Sequence, residues 1–272
     1  MIRSEADTLR AVLVCPPGPA YSGTRDLEAQ NITEAPDPEV ASRQHSALVA
    51  RLRTFGARVV ELAEPPAWPN ATFTRDPALI TPAGYVILRM GLEARRDEPG
   101  WIASALEREG VPRLGVIEPP GTVEGGDVFL AGDVALVTRS GRTNDEGARQ
   151  LSGLLAELGY DVRVTELPEP YLHLGSVLSV IAPGRVLALA GAFPPGFLDG
   201  FDVVEIPRRT GRATAANVLC LGPNEVVANE GDGQGPIAIL EAGGVHVHRL
   251  DLSEFRKGNG GPTCLALPLE RG

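Results

Sequence analysis

The sequence repeats one order of elements five times, and this repetition is the feature that most limits the fold. In the first full unit, Asp37 can cap a helix that ends at Gly56, residues 58–62 are predicted as a strand, and residues 78–88 as a hairpin. The same order of helix, strand, loop and hairpin recurs at intervals of roughly fifty residues, which is typical of radially repeated folds.

The later units follow the same pattern. Their predicted helices are 101–109, 146–158 and 236–241, with only Phe197-Leu198 in the fourth unit; the strands after them are 114–117, 161–165, 202–206 and 245–250. The last predicted strand, Cys264 to Leu267, lacks a partner that Ala11 to Cys15 could supply, and such a closure locks a propeller-like ring. An open α/β sheet is the alternative, but it predicts fewer hairpins. We expect an α/β fold, a fivefold pseudo-symmetric propeller, formed by residues 1–272 as one domain.

Charge and composition exclude several classes of function. A formal net charge of -10 and a pI near 5.0 argue against nucleic acid or an anionic membrane as partner. The apolar run at residues 11–15 is too short for a signal peptide, and Pro183 interrupts the longest later one. Three cysteines without a CxxC pair make neither a disulfide framework nor a zinc site. We therefore expect a cytoplasmic protein without a metal.

The loop between each lone strand and its hairpin occupies an equivalent place in every unit, so the five loops should meet near the ring axis. They are Asn70–Asp76, Glu124–Asp127, Leu172–Gly175, Ala215–Asn217 and Gly260–Cys264. Together they hold a thiol, an imidazole and several carboxylates, a set that suits covalent catalysis. Surplus carboxylates favour a cationic substrate, and a planar guanidinium matches them in paired hydrogen bonds.

Each of these residues also has a structural interpretation. Cys264 could be a small core residue at a strand start rather than a nucleophile, and Asp76 could belong to a solvated turn rather than a substrate clamp. His173 is the best candidate acid/base, because the other three histidines lie in a polar helix or alternate along a strand. Asp127 suits a structural turn and a catalytic role equally. Residues 21–35 are predicted as a long loop that could act as a lid.

The motifs resemble the guanidine-modifying superfamily of dimethylarginine dimethylaminohydrolases, arginine deiminases and amidinotransferases, which share a fivefold α/β propeller called the pentein fold. Ser253-Glu-Phe-Arg-Lys257, Gly260-Gly-Pro-Thr-Cys264-Leu and Arg142-Thr-Asn144 are most similar to the dimethylarginine enzymes. The resemblance implies a role for each of the following residues: Cys264 as nucleophile, His173 as general acid/base, Glu124 as its partner, Asp76 as guanidinium ligand, Asn70 and Phe73 in the substrate pocket, and Arg95 and Arg142 around the substrate's carboxylate.

Two departures make the substrate ambiguous. Phe73-Thr-Arg-Asp-Pro77 has the form found in arginine deiminases, where dimethylarginine enzymes usually have Phe-Val-Glu-Asp, and Asn70 also matches the deiminases. Conversely, the deiminase His-Leu-Asp is His173-Leu-Gly175 here, which removes a carboxylate from the guanidinium site and leaves room for alkyl groups.

The resemblance implies hydrolysis of Nω,Nω-dimethylarginine or monomethylarginine to citrulline and a methylamine through an S-alkylthiouronium, without a cofactor. The alternatives are a deiminase-like enzyme acting on arginine or another guanidino compound, and a non-catalytic protein that binds a guanidino ligand. A homodimer is an expected assembly.

Overall fold

Five three-stranded sheets form the framework of the protein. The structure is a computed structural model that describes residues 1–208, 215–232 and 234–272. Fifteen strands occur in these ranges: β1 (Leu9–Val14), β2 (Arg58–Glu61), β3 (Ala78–Thr81), β4 (Gly84–Ile87), β5 (Arg113–Val116), β6 (Val128–Ala131), β7 (Val134–Arg139), β8 (Asp161–Glu166), β9 (Leu178–Ala182), β10 (Arg185–Leu189), β11 (Asp202–Ile206), β12 (Val218–Gly222), β13 (Glu225–Asn229), β14 (His246–Leu250) and β15 (Leu267–Arg271).

Four of the five sheets have the same internal order. Two strands form an antiparallel hairpin, and a third pairs in parallel with the second strand after a crossover, as β8 pairs with β7 from Val134–Asp161 to Arg139–Glu166. The remaining sheet joins the two ends of the chain, because β1 pairs antiparallel with β15 and parallel with β2. The five-bladed ring and its closure by the first strand are confirmed, and the open-sheet alternative is wrong.

The helices lie mostly on the crossovers. They are α1 (Pro19–Gly23), α2 (Pro38–Phe55), α3 (Glu98–Arg108), α4 (Asp145–Glu157), α5 (Gln234–Ala242) and α6 (Ser253–Arg256). The predicted caps of α2 are confirmed: the Asp37 carboxylate accepts a hydrogen bond from Val40 N at 2.9 Å, and Gly56 adopts a left-handed φ of 105°. In the fourth crossover, residues 190–201 form turns rather than a helix.

The predicted strand Cys264 to Leu267 is wrong at its start. Cys264 lies in a turn, where its N–H donates to Gly261 O at 3.1 Å and its carbonyl accepts from Arg75 N at 3.2 Å. Regular pairing begins only at Leu267. The Gly-Asn-Gly-Gly-Pro turn therefore extends past the cysteine, and Cys264 is held by neighbouring loops rather than by a sheet.

The core fills the spaces between neighbouring sheets and their helices. In one of its clusters, Leu48 and Leu52 of α2 are fully buried with Val12 and Val14 of β1. Burial of such side chains stabilises the fold by about 1.5–3 kcal/mol each. None of the helices in the described ranges combines the length and apolarity needed to cross a membrane. Most of the predicted loop 207–216 falls outside the described residues.

Candidate active site

The loops at one end of the ring enclose a pocket of about 350 Å³, counting the space at its mouth. All eight predicted site residues line it: Asn70, Phe73, Asp76, Arg95, Glu124, Arg142, His173 and Cys264. The repeat predicts that all five equivalent loops meet here, and four of them line the pocket. The fourth loop contributes Asn217, which lies behind the cysteine.

Glycines allow the loops to approach so closely. A Cβ atom on Gly126 would lie 2.7 Å from His173 Nδ1, and one on Gly260 would lie 2.2 Å from the Phe73 ring. A Cβ on Gly261 would lie 2.5 Å from Asn217 Oδ1. These distances are shorter than any side chain tolerates, so the glycine-rich runs are required by contacts between blades.

Cys264 is positioned by Asn217, a residue that the sequence reasoning did not select. The Asn217 Nδ2 group donates to Cys264 Sγ at 3.4 Å, while its Oδ1 accepts from Thr263 N at 3.0 Å. Burial, followed by the charge of Asp76, raises the pKa of the Cys264 thiol. The thiol is thus mostly protonated at neutral pH in the free protein.

His173 and Glu124 form a buried pair. The ring Nε2 lies 2.8 Å from Glu124 Oε2, and the other carboxylate oxygen accepts from Gly91 N and Leu92 N at 3.0 and 3.1 Å. Burial lowers the pKa of His173, but the nearby carboxylates, led by Asp76, outweigh this and raise it to about 9. Burial raises the pKa of Glu124, but the hydrogen bond and charge of His173 outweigh this and lower it. The pair is therefore an imidazolium and a carboxylate at neutral pH.

Asp127 has a positioning role. Its side chain is fully buried and accepts from the hydroxyl groups of Thr138, Ser140 and Thr143 and from Leu174 N, at 2.6–3.1 Å. Thr138 lies near the end of β7, Ser140 and Thr143 lie on either side of Arg142, and Leu174 follows His173. Asp127 itself does not line the pocket. Of the two roles left open by the sequence, the geometry favours the structural one.

The two arginines of the pocket differ in how many hydrogen bonds their guanidinium groups already make. Arg95 is buried and donates to Asp76 Oδ2 at 2.6 Å, to both Glu98 oxygens at 2.8–3.0 Å and to Phe73 O at 3.0 Å. The Arg142 guanidinium makes no hydrogen bond within the described ranges, so its donors are available. Glu98 is a second residue missed from the sequence; it lies only three residues after Arg95, so the local spacing of the two charges could have indicated the pair.

Arg75, the residue that gave the Phe73–Pro77 loop its deiminase form, points away from the pocket. Its guanidinium donates to Glu5, with Nη1 3.0 Å from Oε2, and to Gly125 O and Val128 O at 3.2 and 2.7 Å. Both members of this ion pair are buried, and neither lines the pocket. Arg75 therefore joins loops and offers no group to a ligand.

Residues 21–35 cover the pocket, but they are not simply a loop. Tyr21 belongs to α1 and is fully buried, stacked on Phe255 at 5.7 Å. Further along, Asn70 Nδ2 donates to both oxygens of Gln30, main chain and side chain, at 3.0 Å, and Asn259 Nδ2 donates to Asn31 O at 2.9 Å. The segment is anchored at one end and tied over the pocket by side-chain amides.

Comparisons with known proteins agree on one family. The family model described as N,N dimethylarginine dimethylhydrolase, eukaryotic, matches residues 25–230, and a model for arginine deiminase matches residues 198–271. The chain is 36% identical to the N(G),N(G)-dimethylarginine dimethylaminohydrolase of Pseudomonas aeruginosa, over 92% of this chain and 96% of the relative. It is 31% identical to the Streptomyces coelicolor protein of the same name, over 87% and 88%.

A solved structure agrees as well. The P. aeruginosa protein, as a cysteine-to-serine mutant in complex with citrulline, superposes with a TM-score of 0.83 at 30% identity, over 96% of this chain and 99% of that one. A family match over most of the chain, two relatives above 30% identity and a common fold lead to one conclusion: the chain belongs to the dimethylarginine dimethylaminohydrolase family.

Proposed function

We propose that this protein hydrolyses the guanidino group of a methylated arginine to citrulline and a methylamine. The observation that carries this proposal is the arrangement of one thiol, one imidazolium and two carboxylates, those of Asp76 and Glu124, around a pocket with a free arginine at its side. A guanidinium placed against Asp76 would lie beside Cys264, and the substrate's own carboxylate would pair with Arg142. Arg95, which is already paired, contributes positive charge to the wall.

The groups support the following sequence of steps. The bound guanidinium cation lowers the pKa of the adjacent Cys264 thiol, which loses its proton to water, and the thiolate attacks the guanidinium carbon. His173 gives a proton to the departing amine, the C–N bond breaks, and an S-alkylthiouronium remains on the sulfur. Water then attacks the same carbon and gives one proton to His173. The C–S bond breaks, the remaining hydroxyl proton passes to the sulfur, and citrulline leaves with the Cys264 thiol and the imidazolium restored.

Glu124 determines which ring nitrogen can act. Because Nε2 is held by Glu124, Nδ1 is the atom that remains to exchange protons with substrate and water. Glu124 stabilises the protonated form of His173 before the first step. It also orients the neutral ring as a base for the second step.

Substrate choice is the direct test of the proposal. We expect a higher kcat/KM for Nω-methylated arginines than for arginine, because Gly175 places no second carboxylate beside the terminal nitrogen and an unpaired charge there would cost about 1–3 kcal/mol or more. The assay is a panel of arginine, monomethylarginine, dimethylarginine and agmatine, with citrulline or its analogue and the released amine both measured.

A pair of variants makes this test sharper. A Cβ at position 175 would make only ordinary contacts of 3.5–3.7 Å with Gly126 O, Phe129 and Asn217 Nδ2, so a side chain fits. Gly175→Asp is expected to narrow or reverse the preference for methylated substrate, while the uncharged control Gly175→Ala keeps it. Equal or better activity of the wild type on arginine would overturn the methylarginine proposal.

That outcome would favour the second candidate, a deiminase-like enzyme that acts on arginine. Its support is the Phe73-Thr-Arg-Asp-Pro77 loop, Asn70 and the match of residues 198–271 to the arginine deiminase model. The argument from the Phe73–Pro77 loop is weakened, because the Arg75 side chain points into the protein interior and does not reach the pocket.

The carboxylate clamp gives another prediction. Asp76→Asn keeps the shape of the side chain but removes the charge that would pair with the guanidinium, and such bonds contribute about 1.5–3 kcal/mol. We expect kcat/KM to fall at least about tenfold. The matched control is Glu98→Gln, because it also deprives Arg95 of a carboxylate but leaves the pocket wall unchanged. An equal loss in both variants would show that Asp76 acts only through Arg95.

Location and assembly remain predictions. All three cysteines are free, which supports a reducing compartment such as the cytoplasm. Cell fractionation tests the location, and light scattering of the purified chain tests the expected homodimer.

A further inference from the structure

Outside the pocket, three potential metal ligands meet on two adjacent strands of one blade, the central strand β13 and the edge strand β14. His246 and His248 alternate along β14 and so lie on one face of the sheet, and Glu225 begins the neighbouring strand β13, where it pairs with His246 in parallel register. The ligand atoms of the three side chains all lie within 4.8 Å of one another. The alternation of the two histidines along a strand was visible in the sequence, but Glu225 lies on an earlier strand that only the sheet places beside them.

We propose that Glu225, His246 and His248 form a binding site for a divalent transition-metal ion, with Zn²⁺ as the best match. Two imidazole nitrogens and one carboxylate oxygen are ligands that zinc binds well, with a water molecule completing a tetrahedral set. The expectation of no metal, based on cysteine spacing, concerned a thiolate site and did not consider a cluster of two histidines and a glutamate.

The present contacts are close to those that a metal requires. His248 Nε2 lies 2.7 Å from Glu225 Oε1, and the two imidazole rings lie 4.5 Å apart between centroids. Ligands 2.0–2.1 Å from a tetrahedral ion are about 3.3 Å from each other. An ion would therefore replace the proton that His248 and Glu225 share, and small side-chain rotations would bring His246 to it. His246 is exposed and can rotate, whereas the other two ligands are half-buried and held by the hydrogen bond between them.

A second group of ligands, Asp76, Glu124 and His173, also lies within 4.8 Å, but it belongs to the catalytic pocket. There the guanidinium groups of Arg95 and Arg142 oppose a metal cation. Glu225, His246 and His248 are not among the residues that line this pocket in the part of the chain that the structure describes. A metal on β13 and β14 would stabilise the blade without entering the reaction.

The experiment uses the full chain without an affinity tag, because an added histidine tract would bind the same ions. Zn²⁺ binding is measured by calorimetry and by the rise in Tm. Co²⁺ is used as a spectroscopic probe, since tetrahedral Co²⁺ absorbs far more strongly in the visible than the hydrated ion. All measurements are repeated in Cys264→Ser, which removes the reactive thiol as a competing ligand.

We expect one equivalent of Zn²⁺, a Tm that rises with its concentration, and a tetrahedral Co²⁺ spectrum. His246→Gln, His248→Gln and Glu225→Gln should each weaken binding at least about tenfold and remove the shift in Tm. The control is Glu241→Gln, which removes an exposed carboxylate of α5 that pairs with Arg249 of β14. This variant should bind Zn²⁺ as the wild type does. Citrulline formation without metal should be unchanged in His246→Gln.

Equal affinity and an equal shift in Tm in the wild type and the three ligand variants would overturn the proposal. So would Zn²⁺ binding that is lost in Cys264→Ser, because the metal would then occupy the catalytic pocket. Neither outcome depends on which guanidino compound the enzyme hydrolyses.

Discussion

Cys264→Ser is expected to reduce citrulline formation by at least about 10³-fold while the protein stays folded. The substitution changes a single atom, and Cys264 is only partly buried in a turn, so the packing is preserved. The chemistry is not preserved, because the proposed nucleophile is the thiolate and a hydroxyl ionises far less readily than a thiol. The measurements are steady-state release of citrulline and amine, with circular dichroism and Tm as tests of folding.

The other two cysteines provide the control. Burial is the main cause that raises the pKa of Cys15 to about 12 and that of Cys220 to about 11, so both remain thiols. Cys220→Ala should therefore keep its activity, and a small alkylating agent should label Cys264 selectively, with protection by substrate. Citrulline formation by Cys264→Ser at the wild-type rate would rule out covalent catalysis at this residue.

The same experiment separates an enzyme from a binding protein. An acid quench during turnover should trap the thiouronium on the wild-type chain, where intact-mass spectrometry detects it. A protein that only binds its guanidino ligand would form no adduct and release no amine. Trapping thus tests catalysis independently of substrate preference.

The sequence predicted the ring well because its signals are local and repeated. Helix caps such as Asp37 and Gly56 and the alternation of hairpin residues each act over a few positions, and five copies reinforce one another. The predicted start of the last strand at Cys264 is wrong because contacts between distant segments override the local signal. An apolar run after the glycines has the composition of a strand, but contacts with Arg75 and Asn217 keep its first residues in a turn.

The site was predictable in outline and not in its supporting contacts. Equivalence of the loops indicated which thiol, imidazole and carboxylates would meet. The contact of Asn217 with Cys264 and the buried structural role of Asp127 depend on contacts between distant segments that no local pattern encodes. Glu98 lies only three residues after Arg95, and its pairing could have been inferred from local charge spacing. Arg75 shows the same limit. It belongs to the Phe73–Pro77 motif that made the substrate ambiguous, but its ion pair with Glu5 holds the side chain in the protein interior, away from the pocket.

His173→Gln is expected to lower kcat by about 10²–10⁴-fold, the usual contribution of a positioned acid/base. Glutamine can keep a hydrogen bond to Glu124 but can neither protonate the departing amine nor accept a proton from water. The loss should therefore appear in kcat for a substrate with an ordinary amine leaving group. The loss in kcat should be smaller for a substrate whose leaving group needs no proton. An equal loss in kcat on both substrates would contradict the role of His173 as an acid.

The pH dependence of kcat/KM tests the same residue without removing it. The acid step requires the imidazolium, and a raised pKa keeps that form present to higher pH, so activity should fall as pH rises through about 9. Glu124→Gln removes a carboxylate and hydrogen bond that raise this pKa, and should move the alkaline limb to lower pH as well as reduce the rate. Glu61→Gln, which removes an exposed carboxylate paired with Arg53, should leave the limb in place. An alkaline limb that is the same in Glu124→Gln and the wild type would show that the limb does not report the His173–Glu124 pair.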